Sequence, residues 1–304
     1  MDLPATGHDP VMMREVLEHL APKPGQIVVD CTVGRGGHAE ALAGAVAPTG
    51  QLIGLDYDPR NLVYARERLK DLPARLFHAN FSEINMVMDK ADVGLADGIL
   101  VDLGISTNQL FEEAYGLSFS RDVPLDMRLD TRFRTSARTI VNTWPEAKIA
   151  DLLFHHADER FSRRIAKKIV ESRKQTPINT TEHLAELVRS VVPHARGKGR
   201  MKAEIDPATR TFLALRMEVN GEMHNLERLL GLIPSCLKPG GKIAVISFHS
   251  TEDRLVKHVF RSAEQTGQLK VLTSKPLIPS DSEISANPRS RSAKLRVAER
   301  VVSS

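Results

Sequence analysis

The stretch Gln26-Ile-Val-Val-Asp-Cys-Thr-Val-Gly-Arg-Gly-Gly-His38 decides the fold. Its apolar run, Ile27–Val29, is short and β-branched, which predicts a buried strand rather than a helix. The strand ends at Asp30, and a glycine-rich turn leads into the helix-compatible segment Ala39–Val46. A strand, a glycine turn and a helix form the first unit of a doubly wound α/β sheet. In such sheets, ligands bind beyond the carboxyl ends of the strands.

The glycine spacing also predicts the kind of ligand that this turn binds. Gly34, Gly36 and Ala39 fit the G-x-G-x-x-A form of the dinucleotide fingerprint, although a tight turn produces the same pattern. The next strand, Leu52–Asp56, ends in a carboxylate about twenty residues after the glycines, where this architecture binds a ribose diol. The pattern therefore predicts an adenosyl ligand, either S-adenosylmethionine or NAD.

A further strand, Gly98–Asp102, also ends in an acid, so Asp30, Asp56 and Asp102 are expected to face one cleft. Three carboxylates would repel a pyrophosphate but complement a sulfonium or an amino group. Hydride transfer also needs a nicotinamide pocket, of which the sequence gives no clear sign. The residues therefore favour S-adenosyl-L-methionine over NAD.

Composition sets the broad class. The 304 residues are 41% hydrophobic and 26% charged, with a formal net charge of +4 that permits an anionic partner. Cys31 and Cys236 lack metal-ligand spacing, so we expect neither a disulfide framework nor a metal site. No apolar run has the length of a membrane span and no signal peptide is visible, which predicts a soluble cytoplasmic protein. The oligomeric state stays open, a homodimer included.

After Thr107 the alternation of strands and helices stops, and it resumes near Lys242. The intervening helical patterns predict an all-helical insertion that acts as a substrate lid. We expect a methyltransferase-type domain at residues 1–107 and 206–304, with the insertion at residues 108–205. The helix predicted at Glu159–Glu171 has an apolar inner face and a basic outer face. Such a face is usually only solvated, but with the basic loop Arg196–Lys202 it forms a candidate phosphate-binding surface.

The second half contains two expected helix starts and two expected strands. Asp206 should cap a helix beginning at Pro207, and Ser250 should cap the helix that follows the strand Lys242–His249. An alternating segment near the end of the chain predicts the last strand.

Several motifs, in order along the chain, resemble the bacterial 16S ribosomal RNA cytosine-N4 methyltransferase family over essentially the whole sequence. The matching blocks are Gly34-Arg-Gly-Gly-His38, Asp102-Leu-Gly-Ile-Ser106, Pro124-Leu-Asp-Met-Arg128, Glu159-Arg-Phe-Ser-Arg-Arg-Ile-Ala166, Pro207-Ala-Thr-Arg-Thr-Phe212, Ser247-Phe-His-Ser250 and Asn287-Pro-Arg-Ser-Arg-Ser292. The resemblance implies a Rossmann-like S-adenosylmethionine-dependent methyltransferase sheet with an inserted helical substrate domain. It also implies N4-methylation of a cytidine in 16S rRNA of the small ribosomal subunit, namely cytosine 1402 at the P site.

The resemblance implies site residues as well. The cofactor contacts that it implies are Gly36, Gly37, His38, Asp56, Phe81, Asp102 and Gln109, to which the strand-end argument adds Asp30. Our candidates for RNA contacts are Arg163, Arg164, Lys167, Arg210, Arg289 and Arg291. Four positions depart from the family pattern: Thr107 and Asn108 replace the Ser-Pro of Ser-Ser-Pro-Gln, Asp206 replaces a histidine, and Thr251 replaces a leucine.

An exocyclic amine is a poor nucleophile because its lone pair is delocalised into the ring. The enzyme must accept the amine's proton, and no covalent intermediate is needed. We expect Asp102 near the reacting amine or the sulfonium, and name it as the candidate catalytic residue. Methylation at carbon 5 would instead need a cysteine nucleophile, for which neither cysteine is placed. Phe248 and His249 could orient the cytosine or simply pack.

Two other functions compete with this one. A ribosome-assembly protein could keep the fold and bind RNA without turnover, and an NAD-linked oxidoreductase could use the same glycine turn. The intact acids and glycines argue against the first alternative, and calorimetry with the two cofactors would separate the second.

Overall fold

The computed structural model describes residues 10–106, 109–110, 112–130, 132–192 and 206–302. The chain divides into two compact units: Met1–Gly104 with His224–Ser304, and Ile105–Met223. The first unit is an α/β structure. The described part of the second unit is helical, with a single isolated bridge, Pro124 to Thr180, outside its helices and loops. The predicted class, an α/β sheet interrupted by a helical insertion, is confirmed.

One seven-stranded sheet organises the first unit, in the order β3-β2-β1-β4-β5-β7-β6. The first five strands are parallel, and β7 pairs antiparallel with both β5 and β6. The strands are β1 (Ile27–Asp30), β2 (Gln51–Asp56), β3 (Ala74–His78), β4 (Ala96–Asp102), β5 (Leu237–Ser247), β6 (Leu269–Val271) and β7 (Lys294–Arg300).

Helices cover both faces of this sheet, so the middle residues of its central strands are apolar. On one face Val29, Ile99 and Phe260 share a core, and on the other Val28, Leu42 and Leu100 do. The helices of this unit are α1 (Met13–Leu20), α2 (Gly37–Val46), α3 (Pro59–Arg68), α4 (Ile84–Lys90), α10 (Glu222–Cys236), α11 (Ser250–Gln265) and α12 (Asp281–Ala286).

The carboxyl ends of the parallel strands form one edge of the sheet. Because β7 is antiparallel, its first residue lies at that same edge: Lys294 pairs with Ser247, the last residue of β5. The 3₁₀ helix Pro288–Ser292, directly before β7, therefore also belongs to the edge that is expected to bind ligands.

The helical unit has five helices in its described part: α5 (Ala137–Thr143), α6 (Glu146–Ala157), α7 (Ser162–Arg173), α8 (Thr181–Val191) and α9 (Thr209–Val219). Asn220 joins this unit's loops to its helices. It accepts the Leu129 N–H at 3.0 Å and donates to the carbonyl oxygens of Met127 and Arg216, both at 2.9 Å. The Asn220 side chain thereby holds the backbone at the end of the Pro124–Arg128 motif in place.

The units divide the chain at places different from the expected ones. We expected the insertion to end at residue 205, whereas the helical unit extends to Met223 because α9 packs against α5 and α6. Helix α9 begins at Thr209, two residues later than predicted. Asp206 caps the preceding turn through the Ala208 N–H at 2.8 Å and forms an ion pair with Arg189.

The predicted cap of α11 is wrong by one residue. Glu252 Oε2 accepts the N–H groups of Phe248 and His249, so the cap residue is His249 and not Ser250. The other acid, Asp253, forms ion pairs with Lys294 and Arg296 of β7 instead. Strand β5 also begins earlier than predicted, at Leu237, because this residue pairs with Ala96 before the register shifts to pair Gly98 with Lys242.

Two expectations fall on residues outside the described ranges. The basic loop Arg196–Lys202 is one of them, and the departures Thr107 and Asn108 are the other.

Candidate cofactor and acceptor site

The three strand-end acids lie on three adjacent strands. Strand β1 runs between β2 and β4, and Asp30 is in register with Gly54 on one side and Leu100 on the other. Asp56 and Asp102 are the last residues of those neighbouring strands. Asp30 and Asp56 are buried, and Asp102 is half-buried. The expectation that the three acids share one edge of the sheet is thus met by the strand order.

The glycine turn is bonded directly to one of these acids. Gly34 has φ 56° and Gly36 has φ 91°, values that suit glycine in the left-handed region. The Gly34 N–H donates to Asp56 Oδ2 at 2.7 Å, and the Asp58 N–H donates to Asp56 Oδ1 at 2.8 Å. Oδ2 also accepts the Asn61 amide at 3.4 Å, so Oδ1 is the oxygen with a lone pair left to accept a ribose hydroxyl.

Thr32 links the ends of β1 and β4. Its N–H donates to Asp30 Oδ1 at 3.0 Å, and its hydroxyl accepts the Asp102 N–H at 2.7 Å. Within the described residues, two buried carboxylate oxygens accept no hydrogen bond: Asp30 Oδ2 and Asp102 Oδ1. An unpaired buried carboxylate oxygen is costly, and here two of them stand at the ligand edge.

Burial, with a smaller contribution from a neighbouring acid, raises the pKa of Asp30 and that of Asp56 to about 7; the neighbour is Asp56 for Asp30 and Asp58 for Asp56. Burial also raises the pKa of Asp102 well above its ordinary value, with the charges of Asp30 and Glu252 adding to the effect. A cationic ligand would relieve this repulsion, whereas a pyrophosphate would increase it. The electrostatics therefore suit S-adenosylmethionine, which carries a sulfonium and an amino group.

Two residues that the resemblance assigns to the cofactor make protein contacts with their side chains. The His38 ring is buried, with Nε2 at 3.0 Å from the Val11 carbonyl oxygen and Nδ1 at 3.5 Å from Asp102 Oδ2. Phe81 is 7% exposed and packs in the core with Val29 and Ile99. Gly37 begins α2, so the N–H groups of Gly37 and His38 belong to the first turn of that helix.

Gln109 belongs to the helical unit. Its side-chain Oε1 accepts the Ser106 N–H at 3.0 Å, and its own N–H donates to the Ser106 hydroxyl at 3.2 Å. This reciprocal pair fixes the backbone after Asp102-Leu-Gly within the unit that begins at Ile105.

An aromatic ring lies beside the end of β4. Gly104 has φ 104°, and a Cβ added there would lie 3.6 Å from Cδ2 of Phe248. Phe248 and His249 are half-buried at the end of β5, which pairs with β4. Arg289 and Arg291 are exposed in the 3₁₀ helix at the same edge of the sheet.

The other predicted RNA contacts lie in the helical unit. Arg163, Arg164 and Lys167 are exposed on α7, while Ile165 and Ile169 of the same helix are buried. Arg210 on α9 donates to the Asp158 carbonyl oxygen at 3.3 Å. The predicted two-faced character of α7 is confirmed, and its role in RNA binding stays a prediction.

Both cysteines are buried, as the sequence suggested, and both are free thiols in the structure. Burial raises the pKa of both thiols, which keeps them protonated and unreactive. Within the described residues, no helix is both long and apolar enough to cross a membrane.

Sequence reasoning missed the residues that hold the site together. Thr32 and Asn61, which donates to Asp56 Oδ2 at 3.4 Å, gave no signal beyond their nearness to a strand-end acid. Glu252 was missed because Ser250, two residues before it, was taken as the cap residue. A carboxylate three residues after the true cap residue was the available signal.

A doubly wound sheet, acidic strand ends and a glycine turn suited to a sulfonium together define the class of S-adenosylmethionine-dependent methyltransferases. Within this class, the chain belongs to the MraW methylase family, whose model matches residues 5–301.

Relatives of known name are similar over nearly their whole length. The "Ribosomal RNA small subunit methyltransferase H" of Thermosipho africanus is 45% identical over 295 residues, covering 97% of this chain and 98% of the relative. The protein of the same name from Synechococcus elongatus is also 45% identical, covering 97% and 95%.

Among solved structures, an rRNA methylase from Streptococcus thermophilus has a TM-score of 0.43 at 12% identity, covering 95% of this chain and 94% of that one. The complex of SMU.1697c from Streptococcus mutans with SAH has a TM-score of 0.43 at 11% identity, covering 95% of each chain.

Proposed function

We propose that this protein transfers the methyl group of S-adenosylmethionine to N4 of a cytidine in 16S rRNA of the small ribosomal subunit. By resemblance the acceptor is cytosine 1402 at the ribosomal P site, and the protein acts in the cytoplasm. The family and the names of the relatives support the rRNA substrate. The observation that carries the proposal is the pair of buried carboxylate oxygens, on Asp30 and Asp102, which accept no hydrogen bond within the described residues.

Four residues of the first unit would hold the cofactor. Asp56 would accept a ribose hydroxyl at Oδ1, and Gly37 and His38, in the first turn of α2, would lie against the cofactor. Asp30, with Oδ2 unpaired, would offer a negative charge to the cationic part. When bound, S-adenosylmethionine supplies a methyl group that its sulfonium already activates.

Asp102 would act on the acceptor. Its Oδ1 can accept a hydrogen bond from the exocyclic amine and take up the proton that the amine loses. Its raised pKa makes it a stronger base than an ordinary carboxylate once it is deprotonated. The Phe248 ring beside Gly104 would offer a flat apolar surface to the cytosine base. Orientation and charge then account for the reaction without a covalent intermediate.

The basic residues would bind the RNA backbone. On the helical unit these are Arg163, Arg164, Lys167 and Arg210, and at the sheet edge they are Arg289 and Arg291. Arginine pairs well with phosphate because its guanidinium donates two parallel hydrogen bonds. These contacts would set affinity, while the base is selected at the sheet edge.

The test is labelled methyl transfer into small ribosomal subunits purified from a strain that lacks this protein. Mass analysis of the digested RNA should show N4-methylcytidine at one position, and Asp102→Asn should lose the incorporation. Label at carbon 5, or in another nucleotide, would refute the proposed reaction. No incorporation with RNA binding retained would instead identify a non-catalytic ribosome-assembly protein.

A further inference from the structure

The His38 ring has a fixed orientation at the acceptor site. Its Nε2 lies 3.0 Å from the Val11 carbonyl oxygen, which can only accept a hydrogen bond. Nε2 must therefore carry the proton. In a neutral ring Nδ1 is then an acceptor, and it faces Asp102 Oδ2 at 3.5 Å. The contact between Nδ1 and Oδ2 is favourable when a proton lies between the two atoms, and with that proton on Nδ1 the ring holds Oδ2 and leaves Oδ1 as the acceptor.

The surroundings of Asp102 reinforce this arrangement. Asp30 on β1 and Glu252 on α11 both raise the pKa of Asp102, and His38 on α2 faces its second oxygen. The Asp102 N–H is meanwhile bonded to the Thr32 hydroxyl at 2.7 Å, which fixes the backbone of the strand end. Of the two carboxylate oxygens, Oδ2 is turned to His38 and Oδ1 is the one without a partner among the described residues.

The segment that orients His38 is itself held firmly. The Met12 N–H donates to Glu283 Oε1 of α12 at 2.7 Å, and Met12 is buried with φ 55°, in the left-handed region. Pro10 lies close enough that a Cβ on Gly37 would meet it at 3.4 Å. The Val11 carbonyl oxygen is thus presented to His38 by a chain segment anchored on both sides.

We propose that His38 is a positioning residue for Asp102: it holds Oδ2 through Nδ1 and leaves Oδ1 to take the proton of the acceptor amine. The inference rests on the proposed function. Because the side chain of His38 contacts Val11 and Asp102, we expect its replacement to leave the Kd for the cofactor nearly unchanged. As the amine nitrogen bonds to the methyl carbon, the carbon–sulfur bond breaks with its electron pair going to sulfur. The amine proton passes to Asp102.

Two substitutions separate positioning from packing because each retains one half of the ring's hydrogen bonding. His38→Asn keeps a polar group near the Nδ1 position that faces Asp102, and His38→Gln keeps one near the Nε2 position that faces Val11. We expect His38→Gln to lower the single-turnover rate constant by about a hundredfold, which is the effect expected of a misplaced catalytic group. His38→Asn should lower it far less. Both should bind S-adenosylmethionine with nearly wild-type Kd by calorimetry.

The pH profile gives a readout that packing would not change. The amide N–H of His38→Asn would donate to the Asp102 carboxylate and stabilise its charged form, so the acidic limb of the kcat profile should move to lower pH. In the cofactor-free protein, ¹⁵N NMR of labelled histidine should show His38 protonated at Nε2, and Asp102→Asn should change its Nδ1 shift.

Three results would overturn the inference: equal losses of kcat in both variants that follow their losses in Tm, an unmoved acidic limb, or a ring protonated at Nδ1 alone. A fully active Asp102→Asn enzyme would instead refute the catalytic role in the proposed function. The NMR experiment does not depend on turnover, so the two failures can be told apart.

Discussion

At the scale of single residues, Asp56 has two tasks. Its carboxylate fixes the glycine turn through the Gly34 N–H, and in the proposed function it also accepts a ribose hydroxyl. The sequence predicted the acid at the strand end. It could not predict the bond to Gly34, because that bond depends on the path of the turn, which brings residues 22 positions apart into contact.

Replacing Asp56 with alanine should therefore weaken cofactor binding by about tenfold or more. Hydrogen bonds to a charged group contribute about 1.5–3 kcal/mol each, and a tenfold change in Kd corresponds to about 1.4 kcal/mol. Calorimetry with S-adenosylmethionine measures the effect directly. Asp71→Ala, an exposed acid of the same unit, is the control and should leave Kd unchanged. An unaltered Kd in Asp56→Ala would remove this residue from the cofactor site.

At the scale of elements, α7 shows what periodicity can and cannot predict. The spacing of Ile165 and Ile169 predicted its buried face correctly. The predicted start at Glu159 was three residues too early, since the Glu159 carboxylate accepts the Phe161 N–H at 2.8 Å and forms a turn before the helix. Strand β6 was missed because three residues are too few to show a period.

Charge reversal on α7 should weaken RNA binding selectively. Arg163→Glu with Arg164→Glu removes two exposed cations, and the salt dependence of log K should become shallower by about two units. A filter-binding titration with 16S rRNA at several salt concentrations measures both quantities. The matched control is Arg66→Glu with Lys90→Glu, near the carboxyl ends of α3 and α4. Equal losses in the two double variants would show only an effect of net charge.

Asn220 gives a prediction about the stability of the helical unit. Its replacement by alanine leaves the buried Leu129 N–H and Met127 carbonyl without their partner, at a cost of about 1–3 kcal/mol. Thermal unfolding should show a lower Tm. Glu227→Ala, on an exposed position of α10, should leave Tm unchanged. If Asn220→Ala and Glu227→Ala have the same Tm, the stability of the Pro124–Arg128 loop does not depend on the Asn220 side chain.

At the scale of the whole molecule, the sequence predicted the order of strands and helices better than the division into units. The repeat of strand and helix can be recognised locally, whereas the extent of the helical unit depends on which helices α9 packs against. The capping sequence at Asp206 suggested a boundary where the structure has only a turn and an ion pair with Arg189.

The acidic edge makes overall stability depend on pH in an unusual direction. Asp30 and Asp56 have a pKa of about 7 in the folded protein, so between their ordinary pKa and 7 the native state holds more protons than the unfolded chain. The free energy of unfolding should therefore fall as pH rises from 5 to 8. Each pKa unit corresponds to about 1.36 kcal/mol, so the fall should be on the order of a few kcal/mol.

Urea unfolding at several pH values, with and without S-adenosylmethionine, tests this prediction. The cationic cofactor should restore stability at pH 8 most strongly, and Asp30→Asn should flatten the dependence in the free protein. Asp71→Asn should not alter it. A free energy of unfolding that rises over this range, in parallel for all three proteins, would show that other groups dominate.

The hydrogen bonds of Thr32 limit which residues other members of the family can have at this position. A valine there would match its shape, yet the amide of Asp102 would lose its acceptor while Asp30 kept its donor. The end of β4 would then lose a hydrogen bond that the end of β1 keeps, and Asp102, the proposed proton acceptor, would be held less firmly at the edge of the sheet. Natural sequences should therefore exchange Thr32 with serine, the other small hydroxyl residue, in preference to any residue of equal volume.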